Sequence, residues 1–253
     1  MTGVQTCALP IWKEQGELPE EAANLTASYS LSPDERYVAF DTRDDGGLWI
    51  TDLNRRTSTR LTFGNGIARY PVWSPDGKHI AFSRDSGVYE KDANGAGEER
   101  LLIPAKAPII HDWSPDGKSL LISENGRLAV VELSGAKKRI PVGSANGISN
   151  YGGFSPDGKY IAYSSNESGR EEVYVQPMPP ASGKWQVSQN GGARPTWRQD
   201  GKEFYYFTPD GRIMATEVKT VPTFEPGAPR QLLDRKSTRL NSSHIPLSRM
   251  PSS

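Results

Sequence analysis

Residues 73–82 read Trp73-Ser-Pro-Asp-Gly-Lys-His-Ile-Ala-Phe82, and four other segments of the chain align with them without gaps. Those segments begin at Leu31, Trp113, Phe154 and Trp197. The aligned aspartates, separated by 42, 40, 41 and 43 residues, are Asp34, Asp76, Asp116, Asp157 and Asp200. A repeat of about 40 residues built from strand-like segments is typical of the blades of a β-propeller.

Each repeat is predicted to contain a tight turn between two strands. In Ser-Pro-Asp-Gly the proline presets φ, the aspartate bonds nearby backbone groups, and the glycine accepts a positive φ. A large apolar residue ends the strand before the turn, and a short apolar run such as Ile80-Ala-Phe82 forms the strand after it. Two further strand-like segments follow, Gly87–Glu90 and Arg100–Ile103 in the second repeat. The sequence therefore predicts an all-β propeller of four-stranded antiparallel blades, of which five are visible.

Both ends of the chain differ from the repeats. Residues 1–11 and 234–244 each resemble the translation of a sequencing adapter, and residues 245–253 continue the second segment. We therefore interpret 1–11 and 234–253 as artefact, with 234–253 disordered, and we assign the propeller to residues 12–233. Ordinary frayed termini are the alternative interpretation.

Composition argues against several classes of function. The 30 basic and 30 acidic residues give a formal net charge of zero, unlike the basic surface of a nucleic-acid-binding protein. The single cysteine, Cys7, lies in the adapter-like segment, so neither a disulfide framework nor a cysteine-rich zinc site is predicted. No apolar run approaches the ~18 residues of a membrane-spanning helix. We expect no nucleic-acid partner, no metal, no cofactor and no membrane segment in this chain.

The five repeats resemble the TolB-type WD40-like propeller repeat, whose hallmark is Trp/Phe-Ser-Pro-Asp-Gly-Lys followed by Ile-Ala-Phe. The resemblance covers residues 12–233. Longer stretches, among them Arg69-Tyr-Pro-Val-Trp-Ser-Pro-Asp-Gly77, are similar to the propeller sensor region of bacterial transmembrane serine/threonine protein kinases. The resemblance implies a propeller of six or more blades, of which the visible five would be a fragment. It also implies a periplasmic or extracytoplasmic location.

The candidate binding residues lie just before the aromatic residue of each repeat, on the expected innermost strand of a blade. His111-Asp112 directly precedes Trp113, and comparable positions in other blades also carry polar side chains. If they face the central channel, they form a mixed polar ring for a peptide or a small anion. A solvated channel wall is the alternative. The candidates are Arg69, Tyr70, His111, Asp112, Asn150, Tyr151 and Arg194.

The side chains of the repeat itself are predicted to be structural. An aspartate that recurs inside a turn five times is expected to stabilise the turn rather than to bind a metal or act in catalysis. The Trp or Phe before the turn is expected to pack between blades rather than to stack on a ligand.

The sequence contains no catalytic motif of the common kinds: Gly-x-Ser-x-Gly, His-Glu-x-x-His and the kinase motifs are all missing. It therefore predicts no catalytic residue. We expect a propeller that binds a protein, a peptide or a small ligand, as the sensor or interaction part of a larger bacterial protein. Two alternatives use similar repeats: the gating propeller of a prolyl oligopeptidase or dipeptidyl peptidase IV-type serine peptidase, and a TolB-like periplasmic partner of envelope proteins. An enzyme with a metal in the channel would need more than His111-Asp112.

Overall fold

The computed structural model describes residues 25–42, 45–64, 66–179, 183–220 and 223–234, which form 21 strands and no helix. The strands build five antiparallel sheets, one for each sequence repeat. Of the segments assigned above to artefact, residues 1–11 and 235–253 lie outside the described residues, as do residues 12–24. Asp234, predicted to be disordered with the rest of 234–253, is instead the last residue of the final strand.

Each of the first four blades is a meander of four strands, in which every strand pairs with the next one along the chain. Blade 1 comprises β1 (Leu25–Leu31), β2 (Tyr37–Thr42), β3 (Leu48–Asp52) and β4 (Thr57–Arg60). Blade 2 comprises β5 (Arg69–Trp73), β6 (His79–Arg84), β7 (Gly87–Asp92) and β8 (Arg100–Pro104). Blade 3 comprises β9 (Ile109–Trp113), β10 (Ser119–Glu124), β11 (Arg127–Glu132) and β12 (Arg139–Pro141). Blade 4 comprises β13 (Ser149–Phe154), β14 (Tyr160–Ser165), β15 (Glu172–Pro177) and β16 (Trp185–Gln186).

Blade 5 has a divided outer edge. It comprises β17 (Ala193–Trp197), β18 (Glu203–Phe207), β19 (Arg212–Lys219), β20 (Glu225–Pro226) and β21 (Arg230–Asp234). Both short strands pair with β19: β20 pairs with its last two residues, and β21 pairs with its first four. β21 is therefore the fourth strand expected of a four-stranded blade, and β20 is an additional strand that was not predicted.

The innermost strands of successive blades pack side by side, β1 on β5, β5 on β9, β9 on β13 and β13 on β17. This arrangement is a five-bladed propeller, which confirms the predicted fold class. That the five blades belong to a larger ring stays a prediction.

The hydrophobic core consists of four clusters, each between two neighbouring blades. Between blades 1 and 2, Trp73 and Phe82 pack against residues of both sheets. The indole nitrogen of Trp73 donates a 2.9 Å hydrogen bond to the backbone oxygen of Ser30 in blade 1. In the same way Trp197 in blade 5 donates to the backbone oxygen of Gly153 in blade 4, at 3.2 Å. These two tryptophans therefore join blades, as predicted.

The Ser-Pro-Asp-Gly turn is closed by its own side chains. In blade 2, Ser74 Oγ donates to Asp76 Oδ1 at 2.6 Å, and the amide of Lys78 donates to the same oxygen at 3.1 Å. The amide of His79 donates back to Ser74 Oγ at 2.9 Å. The hydrogen bond from Ser74 is the main reason why the pKa of Asp76 lies below its usual value. The same bonds recur at Ser32–Asp34, Ser114–Asp116 and Ser155–Asp157.

Blade 5 preserves this turn although its sequence departs from the repeat. Arg198 takes the place of the serine, and its Nε and Nη2 donate to the two carboxylate oxygens of Asp200 at 2.7 and 2.8 Å. In every blade, then, the aspartate of the repeat accepts hydrogen bonds within the turn, which is the structural role predicted for it.

Replacement of Asp76 by alanine is expected to lower the free energy of unfolding by about 1–2 kcal/mol, because Ser74 Oγ and the Lys78 amide lose their acceptor. Urea unfolding at neutral pH measures the change. Asp85→Ala, in the turn between β6 and β7, is the matched control and should stay within about 0.5 kcal/mol of the parent protein. Equal losses in the two variants would contradict the role assigned to the turn.

One backbone hydrogen bond ties each of the four blade-to-blade connections to the previous blade. Each runs from an amide at or just before the start of an innermost strand to a carbonyl in the turn between the second and third strands of the preceding blade. The pairs are Ala68–Gly46, Ala107–Asp85, Ser149–Gly126 and Gly192–Glu171, at 2.8 to 3.0 Å. Connections and central turns therefore share one end of the propeller, which we call the upper end. Every innermost strand after the first begins there, and we call the region formed by the first residues of these strands the upper mouth.

Candidate functional site

The innermost strands of blades 2 to 5 each carry a β-bulge near the upper mouth, where the pairing with the second strand shifts by one residue. Tyr70, Tyr151 and Arg194 lie in three of these bulges, with φ of 55°, 46° and 55°. Residues other than glycine rarely adopt this conformation, and bulges of this kind redirect side chains. The sequence placed these three residues in equivalent positions, and the structure gives them one common backbone conformation.

Blade 3 departs from this pattern by one residue. Its bulge falls at His111, which lies two residues before Trp113, whereas the other bulge residues lie three residues before their aromatic. His111 is also not among the residues with positive φ. His111 is therefore only approximately equivalent to Tyr70, Tyr151 and Arg194. The position of the bulge, rather than the spacing from the aromatic residue, determines which side chain is redirected.

Three candidate residues from three blades form a chain of contacts at the upper mouth. The rings of His111 and Tyr151 have centroids 6.2 Å apart and meet edge to face at 73°. The guanidinium carbon of Arg194 lies 4.6 Å from the centroid of the Tyr151 ring, and Arg194 Nη2 donates to the Tyr151 hydroxyl at 3.2 Å. We call His111, Tyr151 and Arg194 the mouth cluster. Its outer members are accessible: Arg194 is exposed, and Tyr151 is 42% exposed.

His111 is the inner end of the mouth cluster. Its Nε2 lies 2.8 Å from the hydroxyl of Ser123 on the second strand of the same blade. Burial lowers the pKa of His111 to about 4. The imidazole is therefore neutral at pH 7, and the charge of the cluster is that of Arg194.

Asp112 lies in the seam between two blades and not in the mouth cluster. Its Oδ1 accepts the Trp113 amide and its Oδ2 accepts the Phe154 amide of blade 4, both at 2.8 Å. Burial raises the pKa of Asp112 to about 7, against the opposing effect of the two amide donors. Because both oxygens have backbone partners, Asp112 links blades 3 and 4. It does not contribute to the polar ring that was predicted.

The remaining candidates occupy different surroundings. Tyr70 packs against the hydrophobic cluster between blades 2 and 3, and its amide donates to Ser28 Oγ at 3.0 Å. Arg69 is exposed at the start of β5, and Asn150 is half-buried near the start of β13. Both lie at the upper end, and within the described residues neither has a hydrogen bond, ion pair or ring contact to the mouth cluster. The structure thus brings together three of the seven predicted residues.

Two serines that were not predicted as site residues hold members of the mouth cluster in place. Ser123 contacts His111, and Ser164 Oγ accepts the amide of Arg194 at 2.9 Å. Both serines follow directly on the apolar run of the second strand, as Ser83 does in blade 2. A serine at this position in three of five repeats was a signal that could have identified them.

Among the described residues, no group of three or more His, Cys, Asp or Glu side chains is placed to hold a metal ion. No helix in this part of the chain has the length and apolar character needed to cross a bilayer.

The two adjacent titratable residues are expected to have opposite effects on stability as the pH changes. For His111 the folded pKa of about 4 lies below its ordinary 6.5, so its contribution to stability grows as pH rises from 4 to 6.5. For Asp112 the folded pKa of about 7 lies above its ordinary 3.8, so its contribution falls as pH rises from 3.8 to 7. In the parent protein the two trends largely cancel between pH 4 and 6.5.

Single variants separate these trends. Relative to the parent protein, His111→Gln should lose stability as pH rises from 4 to 6.5, and Asp112→Asn should gain stability as pH rises from 4 to 7. Each relative change is expected to be about 1–3 kcal/mol, since both groups are only partly shielded from water. Urea unfolding at four values of pH measures it, and differences that do not vary with pH would contradict the assigned environments.

Comparisons with known proteins agree with the propeller fold described above. The family model of the dipeptidyl peptidase IV N-terminal region matches residues 32–113. A protein of Sulfurisphaera tokodaii named as a tricorn-like protease N-terminal subunit is 38% identical over 72 residues, which are 28% of this chain and 34% of that protein. The match therefore spans about a third of the length of that relative.

Two solved structures share the fold over most of the chain. A protein of Agrobacterium tumefaciens named as TolB superimposes with a TM-score of 0.67 at 18% identity, covering 81% of this chain and 79% of the other. TolB from Acinetobacter baumannii gives 0.63 at 21% identity, covering 81% of this chain and 55% of the other. The solved structures share the fold of this chain, which is a five-bladed β-propeller with an aspartate turn in every blade.

Proposed function

We propose that this propeller is a non-catalytic module that binds a segment of polypeptide at the upper mouth of its channel. The observation that carries the proposal is the mouth cluster, in which an exposed tyrosine and an exposed arginine from neighbouring blades stack on each other. Tyrosine and arginine are enriched among the residues that contribute most to protein–protein binding. The chain would act as the sensor or interaction part of a larger bacterial protein.

The backbone around the cluster supports this role. Positive φ at a tyrosine and an arginine costs roughly 1–3 kcal/mol each, and such conformations concentrate at functional sites. The bulges set the direction in which the side chains of Tyr151 and Arg194 extend from their strands. The hydrogen bond from the Arg194 amide to Ser164 holds the backbone of Arg194 in place. A ligand therefore meets side chains whose backbone is already ordered, which lowers the entropic cost of binding.

Selection from a random peptide library against the whole chain tests the proposal. Peptides should be enriched, and Tyr151→Ala should weaken their binding about tenfold or more, because it removes the ring that supports Arg194. Phe63→Ala is the matched control, since Phe63 is an exposed ring on the connection between blades 1 and 2, outside the mouth cluster. Failure to enrich any peptide, or equal binding by both variants, would overturn the proposal.

A gating propeller of a serine peptidase is the second candidate function. The match of residues 32–113 to the dipeptidyl peptidase IV N-terminal region and the relative named as a protease subunit favour it. Sequencing the source DNA on both sides of the reading frame with a different library chemistry distinguishes the two. A downstream hydrolase domain with a Gly-x-Ser-x-Gly elbow supports gating, and an upstream kinase domain with a membrane segment supports the sensor role.

A further inference from the structure

Most arginines of the described residues form ion pairs with acids, and two of the five that are not in this group lie at the upper mouth. Nine of them lie within 4.0 Å of a carboxylate oxygen: Arg36, Arg60, Arg84, Arg100, Arg139, Arg170, Arg198, Arg212 and Arg230. Within the described ranges, Arg69 and Arg194 have no such partner, although both are exposed near the start of an innermost strand. The positive charge at the mouth is therefore not neutralised by an ion pair of the protein.

Arg194 is held in place without being neutralised. Its guanidinium lies over the Tyr151 ring, and only Nη2 has a described hydrogen-bond partner, the Tyr151 hydroxyl. Asp112, the acidic residue among the predicted site residues, has both oxygens engaged by backbone amides, and His111 is neutral at pH 7. The guanidinium thus keeps Nε, Nη1 and the second hydrogen of Nη2 available, and a carboxylate accepts two parallel donors in one plane from Nη2 together with either Nε or Nη1.

We infer that Arg194, supported by Tyr151, binds a carboxylate of the ligand. The carboxylate comes from an acidic side chain or from the free C-terminus of a peptide, which share this chemistry. Arg69 adds positive charge at the same end and favours the approach of an acidic segment. The inference rests on the proposed function, because it specifies which chemical group of the bound polypeptide the mouth cluster recognises.

Three matched sets of immobilised hexapeptides test the inference with the full chain as the probe protein. The first set has neutral sequences with a free C-terminal carboxylate, the second has one glutamate and an amidated C-terminus, and the third carries glutamine in place of that glutamate. At least one of the first two sets should bind about tenfold more tightly than the third, and which one does so identifies the source of the carboxylate.

Arg194→Gln should abolish this preference, whereas Arg127→Gln should leave it unchanged. Arg127 is the matched control, because it is an exposed arginine near the same end whose Nη1 donates to the backbone oxygen of Ala145. Binding of all three sets with equal affinity, or a preference that survives in Arg194→Gln, overturns this inference and leaves the proposed function standing. Binding of none of the sets overturns both.

Discussion

Phe82→Ala is expected to lower the free energy of unfolding by about 3–5 kcal/mol. The Phe82 side chain is fully buried between blades 1 and 2, where it packs with Leu48, Leu61 and Trp73. Its ring also stacks on Tyr89 with a centroid distance of 6.2 Å. Removing the ring leaves a cavity that two rigid sheets cannot easily close, so the loss of buried apolar surface is not recovered. Chemical unfolding followed by tryptophan fluorescence measures the change.

Phe63→Ala is the matched control for this prediction, because Phe63 is 63% exposed and belongs to no core cluster of the described residues. Its loss should change stability by no more than about 0.5 kcal/mol. If the two phenylalanine variants unfold at the same urea concentration, the packing between blades 1 and 2 is not the source of stability assigned to it.

Glu172→Ala is expected to cost about 2–4 kcal/mol, the second largest effect. The Glu172 side chain is fully buried, and its Oε1 accepts Arg170 Nε at 2.6 Å and the Gly191 amide at 3.0 Å. Its other oxygen accepts the hydroxyl of Ser188. The carboxylate therefore links the third strand of blade 4 to the connection that leads into blade 5, and its removal leaves buried donors without an acceptor.

Glu171→Ala is the corresponding control, because the neighbouring glutamate has an exposed side chain and contributes its backbone oxygen to the blade connection. That variant should unfold within about 0.5 kcal/mol of the parent protein. A loss in Glu171→Ala as large as that in Glu172→Ala would indicate that local charge, rather than the buried network, determines stability here.

The Ser-Pro-Asp-Gly sequence predicts most of this fold because the contacts that close the turn join residues that are close together in the sequence. Ser74, Asp76 and Gly77 close their turn with contacts no more than a few residues apart, so the pattern marks the junction of two strands wherever it occurs. The apolar residues on either side then define the first two strands of each blade. The outer edge of blade 5 was less predictable, since β20 consists of two residues whose pairing depends on the length of β19.

The candidate site was predicted less completely, because its geometry depends on contacts between distant residues. Spacing from the aromatic residue correctly related Tyr151 to Arg194, which lie 43 residues apart and meet across two blades. The same spacing could not show that Asp112 accepts the amide of Phe154, 42 residues away, or that the bulge in blade 3 falls at His111. Register shifts of this kind follow from the packing of neighbouring strands rather than from composition.

An amide NMR titration of the whole chain with a library-selected peptide tests most directly the claim that the upper mouth is a ligand-binding site. We expect the amide signals of Ser149–Phe154 and Ala193–Trp197, together with those near His111, to shift on binding. The amides of the Ser-Pro-Asp-Gly turns at the lower end should not shift. Shifts confined to the lower turns or to the outermost strands would contradict it.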